Sequence, residues 1–342
     1  MSTEEKDPTN EQPSAENEEK APFESRTDLS GVEKLVESIR TEIGKIIVGQ
    51  HRMVDLLIAA LLADGHVLIE GVPGVAKTLT TKLLAQTISA DFSRIQFTPD
   101  LMPADVIGTS VFNPKTTDFE FKEGPIFSNL VLIDEINRSP AKTQAALFEV
   151  MEERQITVDG KTYFMEPPFM VIATQNPIEH EGTYRLPEAQ LDRFLFRIDV
   201  PYPSLDEEVK ILSGSYSRKN KLDISALDKV ISAEEIAKQR NVAASVHVEP
   251  ELMKYIAQII QNTRNSSSVS IGASPRASVF VMKAAQAWAA MNGRDFITPE
   301  DVKEVINPVL RHRITLTPEK EMEGMKPDQV IQIILEKVEV PR

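Results

Sequence analysis

The feature of this chain that most constrains its fold is a glycine-rich segment at residues 71–78. The apolar stretch before it, at 66–70, predicts a strand, and the spacing of residues 78–89 predicts a helix. A glycine-rich turn between strand and helix curls the backbone so that successive N–H groups point at an anion, and the helix N-terminus adds partial positive charge. The predicted phosphate-binding residues are Gly71, Val72, Pro73, Gly74, Val75, Ala76, Lys77, Thr78 and Leu79.

The last residues of this segment carry the predicted chemistry. Lys77 can reach the β- and γ-phosphates of a nucleotide, and the Thr78 hydroxyl can bind Mg²⁺. Ala76 departs from the general pattern, which places glycine directly before the lysine. An ordinary glycine-rich turn is the alternative interpretation, but the Lys-Thr pair at the start of a helix favours phosphate binding.

Composition and charge exclude several classes of protein. Without cysteine, the chain of 342 residues cannot use disulfides, thiolate metal sites or cysteine catalysis. The five histidines are scattered without ligand spacing. The acidic N-terminus lacks the apolar core of a secretory signal, and no apolar run approaches the length of a membrane span, so we expect a cytoplasmic protein without membrane insertion. The net charge of −14 argues against tight, non-specific binding of nucleic acid.

Changes of pattern along the chain predict three regions. Residues 1–30 hold nine acidic and three basic side chains and read as a disordered acidic tail. Residues 31–203 alternate helical segments with apolar strands at 93–98, 130–135, 169–174 and 194–200, which is typical of a parallel sheet covered on both faces. Residues 204–342 carry helical spacing at 205–220, 233–243, 250–265, 274–292, 299–311 and 328–337, with a polar linker at 265–272.

Two hairpin-like insertions interrupt the strand–helix alternation, at residues 100–127 and 153–167. The second contains Asp159-Gly160, a strong two-residue turn signal. Their aromatic side chains could contact a substrate, although packing within each hairpin is the competing interpretation; these residues are Phe112, Phe119, Phe121 and Tyr163.

The strongest apolar strand, at 130–133, ends in the acidic pair Asp134 and Glu135. In an open parallel sheet, ligands bind at the carboxyl ends of the strands. Asp134 is therefore predicted to hold Mg²⁺ through its water shell beside Thr78. Glu135 is predicted to orient and polarise the water that attacks the γ-phosphate.

Three further polar residues are candidates for the same reaction. Asn176 ends the next apolar strand and could contact the attacking water, or it could be an ordinary turn residue. Arg193 cannot easily reach its own phosphate loop but could neutralise charge at the nucleotide of a neighbouring subunit, with Arg197 as its rival. Arg276 opens a helix and could sense the γ-phosphate. For both arginines, a surface charge is the alternative.

Taken together, these segments resemble the MoxR family of AAA+ ATPases over nearly the whole chain from about residue 32. The resemblance rests on motifs at 47–50 (Ile-Val-Gly-Gln), 71–78, 134–138 (Asp-Glu-Ile-Asn-Arg), 173–177 (Ala-Thr-Gln-Asn-Pro), 186–194, 272–276 (Gly-Ala-Ser-Pro-Arg) and 309–313 (Val-Leu-Arg-His-Arg). Ala76 is similar to that family's own variant of the loop.

The resemblance implies an αβα P-loop sandwich followed by a small all-helical lid, with ATP and Mg²⁺ as cofactors. Ile47 and the residues Val48, Gly49 and Gln50 would line the adenine pocket. Asn176 would be sensor 1, Arg193 the arginine finger and Arg276 sensor 2. The two insertions would face the pore of a ring or its partner.

The resemblance also implies a function. The family forms hexameric rings and acts on client proteins as chaperone-like remodellers, with partners that carry von Willebrand factor A domains. The alternatives are a nucleic-acid motor, a metal-chelatase motor subunit and, least favoured, a monomeric small-molecule kinase, which would not need Arg193 and Arg276.

Overall fold

The computed structural model describes residues 27–176, 184, 186–217 and 227–341. The first part of the chain contains, in order, α1 (Ser30–Gly44), α2 (His51–Leu62), β1 (His66–Gly71), α3 (Lys77–Thr87), β2 (Ile88–Ser89), β3 (Phe92–Gln96), α4 (Pro103–Ile107), β4 (Gly108–Asn113), β5 (Asp118–Glu123), β6 (Leu130–Asp134), α5 (Ala141–Glu153), β7 (Gln155–Val158), β8 (Lys161–Phe164), β9 (Met170–Gln175), α6 (Glu188–Leu191) and β10 (Phe194–Val200).

The second part is mostly helical. It contains α7 (Leu205–Ser217), β11 (Ile231–Ser232), α8 (Ala233–Ala244), α9 (Pro250–Asn265), β12 (Val269–Ile271), α10 (Pro275–Met291), α11 (Pro299–Leu310), β13 (Thr315–Leu316), α12 (Pro318–Met322) and α13 (Pro327–Lys337). The predicted helices of this part all exist, and the ends that can be compared shift by at most one residue; the predicted end of the first, at 218–220, lies outside the described residues.

A five-stranded parallel sheet forms the centre of the first part, in the order β10-β1-β9-β6-β3. Every residue of β6 is buried, and only Gln175 of β9 is not, which explains why these strands read as continuous apolar runs rather than as alternating patterns. The predicted parallel sheet is confirmed. Its carboxyl edge carries the residues that follow β1, β6 and β9.

The two insertions are antiparallel hairpins that pack against each other. β4 pairs with β5, and β7 pairs with β8 across the turn at Asp159 and Gly160, both of which have positive φ. The rings of Phe121 and Tyr163 lie 4.6 Å apart between the hairpins. These two aromatic side chains are therefore packing residues.

The other two aromatic candidates lie on one exposed face of the first hairpin. Phe112 and Phe119 contact each other edge to face at 5.5 Å, and Phe119 is 64% exposed. Only this pair stays available for contact with another molecule.

The helical part packs on the sheet-bearing part through one continuous apolar core. β11 pairs with β2, and α10 packs against α1 and α2. The predicted linker at 265–272 contains β12, which pairs with β13, so the described residues of the helical part include these two short strands as well as β11. The boundary between the two domains at residues 203 and 204 stays a prediction.

The N-terminal tail falls mostly outside the described residues, which begin at 27. The structure shortens the predicted tail, because α1 begins at Ser30 and Leu29 is buried against the core. Among the described residues, no helix combines the length and the apolar character needed to cross a bilayer.

Candidate active site

The phosphate loop connects β1 to α3 at the carboxyl edge of the sheet. Gly74 has φ 87° and Ala76 has φ 60°, so the loop turns through two left-handed residues before α3 begins at Lys77. Ala76 thus adopts the conformation for which glycine is usually required, and its methyl group does not change the path of the loop. The Nζ of Lys77 donates hydrogen bonds to the carbonyls of Gly71 (2.5 Å) and Gln175 (3.3 Å), which hold it across the mouth of the loop.

Asp134 is the most constrained acid of the site. It is 4% exposed, and its Oδ1 accepts hydrogen bonds from the hydroxyls of Thr78 (3.0 Å) and Thr174 (3.1 Å). Its Oδ2 pairs with the Nε of Arg94 at 2.7 Å. Three side chains, from α3, β3 and β9, therefore converge on this carboxylate at the end of β6. Thr78 and Asp134 together offer the oxygen ligands that Mg²⁺ prefers, so the residues present fit this ion.

Glu135 follows Asp134 in a left-handed conformation, with φ 57°. Its N–H donates to the Thr174 hydroxyl (3.1 Å), and its Oε2 lies 2.9 Å from both the Nε2 of Gln96 and the Nε of Arg138. These contacts orient the carboxylate toward the cleft at the carboxyl edge of the sheet. A residue in a sparsely populated conformation at such a place is typical of functional sites.

The cleft beside the loop has a volume of about 480 Å³ and brings most of the predicted site together. The predicted residues on its wall are Pro73, Gly74, Ala76, Lys77, Thr78, Leu79, Asp134, Glu135 and Asn176. Asn176 is 7% exposed and ends β9 beside Thr174.

The remaining predicted nucleotide-binding residues lie outside this cleft. Val75 is buried beneath the loop, and Gly71 and Val72 line a neighbouring cavity of about 530 Å³ with Tyr202.

The predicted adenine pocket forms a separate space. Gln50 lines a cavity of about 730 Å³ together with Tyr202 and Glu207, and the Glu207 side chain covers the α-carbon of Gly49. None of Val48, Gly49 and Gln50 lines the phosphate cleft in the described part of the chain.

Arg276 is not where a sensor for its own nucleotide would be. Its Nη2 pairs with Oε2 of Glu152 at 2.6 Å, and the Nε of Arg193 lies 3.4 Å from the same oxygen. Glu152 is next to Met151, whose carbonyl accepts a hydrogen bond from His66 at the amino end of β1.

The phosphate loop follows the other end of that strand, about 20 Å away for six residues. Both arginines therefore lie at the edge of the sheet opposite their own phosphate loop. The role of Arg276 as a γ-phosphate sensor stays a prediction.

Arg197, the rival candidate, is engaged within its own chain. It pairs with Glu70 at 2.7 Å and Asp199 at 3.3 Å. Burial raises the pKa of Glu70, and Arg197 acts against this rise. Arg197 is therefore a structural partner of the strand that leads into the phosphate loop.

Sequence reasoning missed Arg94 and Gln96, which contact the two acids. They stand at alternate positions of β3 and so lie on one face of the strand. The signal was present as two long polar side chains in a short strand. It could be used only once β3 was known to pair with β6, where Gln96 is in register with Asp134.

Comparison with known proteins shows the family. Residues 66–196 match the model of the ATPase family associated with various cellular activities (AAA), and residues 261–334 match the AAA lid domain. The chain is 43% identical to Chaperone MoxR1 of Mycobacterium tuberculosis over 91% of this chain and 85% of the relative. It belongs to the MoxR family of AAA+ ATPases.

Two further proteins are similar to this chain over most of its length. The uncharacterised protein YeaC of Bacillus subtilis is 48% identical over 87% of this chain and 92% of its own length. A crystal structure of a candidate ATPase from Cytophaga hutchinsonii superposes with a TM-score of 0.84 at 43% identity, covering 92% of this chain and 97% of that one. The predicted AAA+ core and lid, and the predicted MoxR family, are confirmed.

Proposed function

We propose that this chain hydrolyses ATP in the phosphate cleft and uses the energy to remodel partner proteins. The observation that carries the hydrolytic part is the convergence of Thr78, Asp134 and Glu135 on one cleft, through Thr174. A site that only bound a nucleotide would not need a second acid aimed into the cleft. Glu135 is the group that such a site needs to act on water.

Each residue has a distinct role in this proposal. The N–H groups of the loop and the Nζ of Lys77 bind the phosphates, and Lys77 exchanges its contact with the Gly71 carbonyl for a phosphate oxygen. A Mg²⁺ ion held by Thr78 and, through water, by Asp134 would neutralise charge on the phosphate oxygens. Glu135 orients the attacking water and accepts its proton, and Asn176 donates a hydrogen bond to that water or to the γ-phosphate.

We infer that the site is completed by a second copy of the chain. Arg193 and Arg276 lie side by side at the edge of the sheet opposite their own loop, so they can serve only a neighbouring cleft. An interface that joins one edge of a subunit to the opposite edge of the next is head-to-tail, and such contacts form rings when the rotation between subunits closes and filaments when it does not. The geometry supports head-to-tail assembly, and a hexameric ring is the form that the family resemblance implies.

The name of one relative supports the proposal of protein remodelling. That protein from Mycobacterium tuberculosis is named a chaperone. The exposed pair Phe112 and Phe119 is the surface on this chain that fits contact with a client polypeptide. A partner with a von Willebrand factor A domain is part of the same proposal.

Mixing two inactive variants tests the shared site. Arg193→Ala should bind ATP but fail to hydrolyse it, and Lys77→Ala should fail to bind it. In a one-to-one mixture, about a quarter of the interfaces join an intact loop to an intact finger, so hydrolysis should return to about a quarter of the wild-type rate. Phosphate release by each variant alone and by the mixture measures this.

The matched control replaces Lys77→Ala by the double variant Lys77→Ala, Arg193→Ala. No interface in that mixture holds an intact finger, and it should stay inactive. If the first mixture also stays inactive while both variants assemble, the assignment of Arg193 is wrong.

A further inference from the structure

A further cavity, of about 310 Å³, lies near the amino end of β1, away from the phosphate cleft. It opens between the end of α2, the start of β7, α8 and α10. Part of its wall consists of small apolar side chains, among them Ala237, Ala243 and Ala287. Its volume falls at the lower end of the range for small-molecule sites, about 300–1,000 Å³.

The rest of the wall is strongly basic. Arg154, Arg240 and Lys283 line the cavity with a single carboxylate, that of Asp64. Burial acts to raise the pKa of Asp64, but Arg240 and Arg154 lower it below the ordinary value, so Asp64 stays ionised. The four groups therefore leave two excess positive charges at neutral pH, on a chain whose net charge is −14.

Arg240 provides an independent observation. Its side chain is 10% exposed, with Nε donating to the Leu61 carbonyl and Nη1 pairing with Asp64. Its Nη2 has no hydrogen-bond partner in the part of the chain that the structure describes. A buried donor without a partner is unfavourable, and a small rotation of the guanidinium toward an anion in the cavity would give this nitrogen an acceptor.

We propose that this cavity binds a small molecule with a dianionic phosphate group and a small apolar part. The two excess charges match a phosphate dianion, and guanidinium groups fit phosphate oxygens through paired N–H donors. The apolar part packs against the alanines. Because α2 and β7 form one side of the cavity and α8 and α10 the other, the bound ligand holds the helical part against the sheet-bearing part.

The test uses phenyl phosphate and inorganic phosphate as probes, titrated calorimetrically into the full chain. Lys283→Glu reverses an exposed charge on the wall without disturbing the core, and should weaken binding of phenyl phosphate at least about tenfold. Lys254→Glu makes the same change at an exposed position outside the cavity, and should leave binding unchanged. Phenyl phosphate should bind more tightly than inorganic phosphate, because only the ester reaches the apolar wall.

A third variant separates this cavity from the phosphate cleft. Lys77→Ala should leave phenyl phosphate binding intact; loss there, with retention in Lys283→Glu, would place the ligand in the cleft and overturn the proposal. Equal weakening by Lys283→Glu and Lys254→Glu, or absence of binding to the wild type, would also overturn it. Because no arm depends on hydrolysis, an inactive wild type would count against the proposed ATPase and not against this site.

Discussion

Thr174 links the two acids of the candidate site through one hydroxyl. That hydroxyl donates to Asp134 and accepts from the N–H of Glu135, so it holds the proposed metal-binding acid and the proposed base in a fixed relation. In the sequence, Thr174 is part of the motif at 173–177, and no separate role was predicted for it. The role depends on β9 lying beside β6, which no local pattern reveals.

Thr174→Val keeps the shape of the side chain and removes this hydroxyl. We expect ATP hydrolysis to fall about 10- to 100-fold, as for other residues that hydrogen-bond to a metal-binding side chain and fix its orientation. ATP binding should be retained. Phosphate release and titration with a fluorescent ATP analogue measure the two effects. Thr174→Ser restores the hydroxyl and should recover activity; equal loss in both variants would contradict the role.

Buried histidines make stability depend on pH. Burial lowers the pKa of His66 to about 4, with Arg154 acting in the same direction, and burial also holds the pKa of His312 well below its usual value. The unfolded chain binds protons at these residues below about pH 6.5, whereas the folded chain does not. Their contribution to stability is therefore complete above pH 6.5 and is lost as the pH falls toward 4.

Urea unfolding at pH 7 and pH 5 tests this assignment. For His66→Asn, the loss of unfolding free energy between the two pH values should be about 2 kcal/mol smaller than for the wild type. An equal loss in both proteins would show that His66 titrates normally in the folded chain.

Among the elements, periodicity predicted α1, α9 and α11 well because each of these helices buries one continuous face. α9 was predicted with its observed ends, and its proline at the first turn marks the start. β12 was missed within the predicted linker, since its partner β13 lies more than forty residues further along the chain. Short strands whose pairing is non-local leave little pattern of their own.

Arg313 links two elements that are far apart in the sequence. It follows α11 and contacts Asp192, which lies just before β10. Its Nε pairs with Asp192 at 2.7 Å, its Nη2 donates to the Asp192 carbonyl at 2.8 Å, and its side chain is 1% exposed. Burial lowers the pKa of Arg313 to about 10, and Asp192 acts against this. Ser274, at the start of α10, also donates to Asp192. This carboxylate therefore places Arg193 and Arg276 relative to each other.

Arg313→Met removes the charge and leaves Asp192 without its main partner. We expect the free energy of unfolding to fall by about 3–5 kcal/mol, as for other broken buried pairs. Arg40→Met is the matched control, because its pair with Asp55 is partly exposed and should contribute at most about 1 kcal/mol. Urea denaturation measures both, and similar losses would contradict the role given to Arg313.

At the scale of the whole molecule, the sequence predicted which side chains meet at one cleft better than it predicted how the two parts pack. Lys77, Thr78, Asp134, Glu135 and Asn176 meet at one cleft, because the order of parallel strands brings their carboxyl ends together. The position of Arg276 could not be predicted, since it depends on how the helical part packs on the sheet. That packing is decided by side chains spread over a core that spans both parts.

Glu135→Gln tests assembly. The amide cannot accept a proton from water, so hydrolysis should fall by about 10²–10⁴-fold while ATP stays bound. If bound ATP draws in the arginines of a neighbour, this variant should elute as an oligomer in the presence of ATP. Size-exclusion chromatography with light scattering measures the mass, and Lys77→Ala under the same conditions should not respond to ATP. A monomer in both cases would contradict the shared site.

The carboxylate of Glu152 would give the single subunit a resting state under the proposed mechanism. It contacts both Arg193 and Arg276, and so offsets one of the two positive charges that the proposed reaction needs from a neighbour. An isolated subunit would then bind ATP without hydrolysing it. Assembly would require both arginines to leave Glu152. Contacts with the phosphates bound to a neighbouring subunit would compensate for this loss. In a cell, this would restrict ATP hydrolysis to subunits that are already assembled with a neighbour.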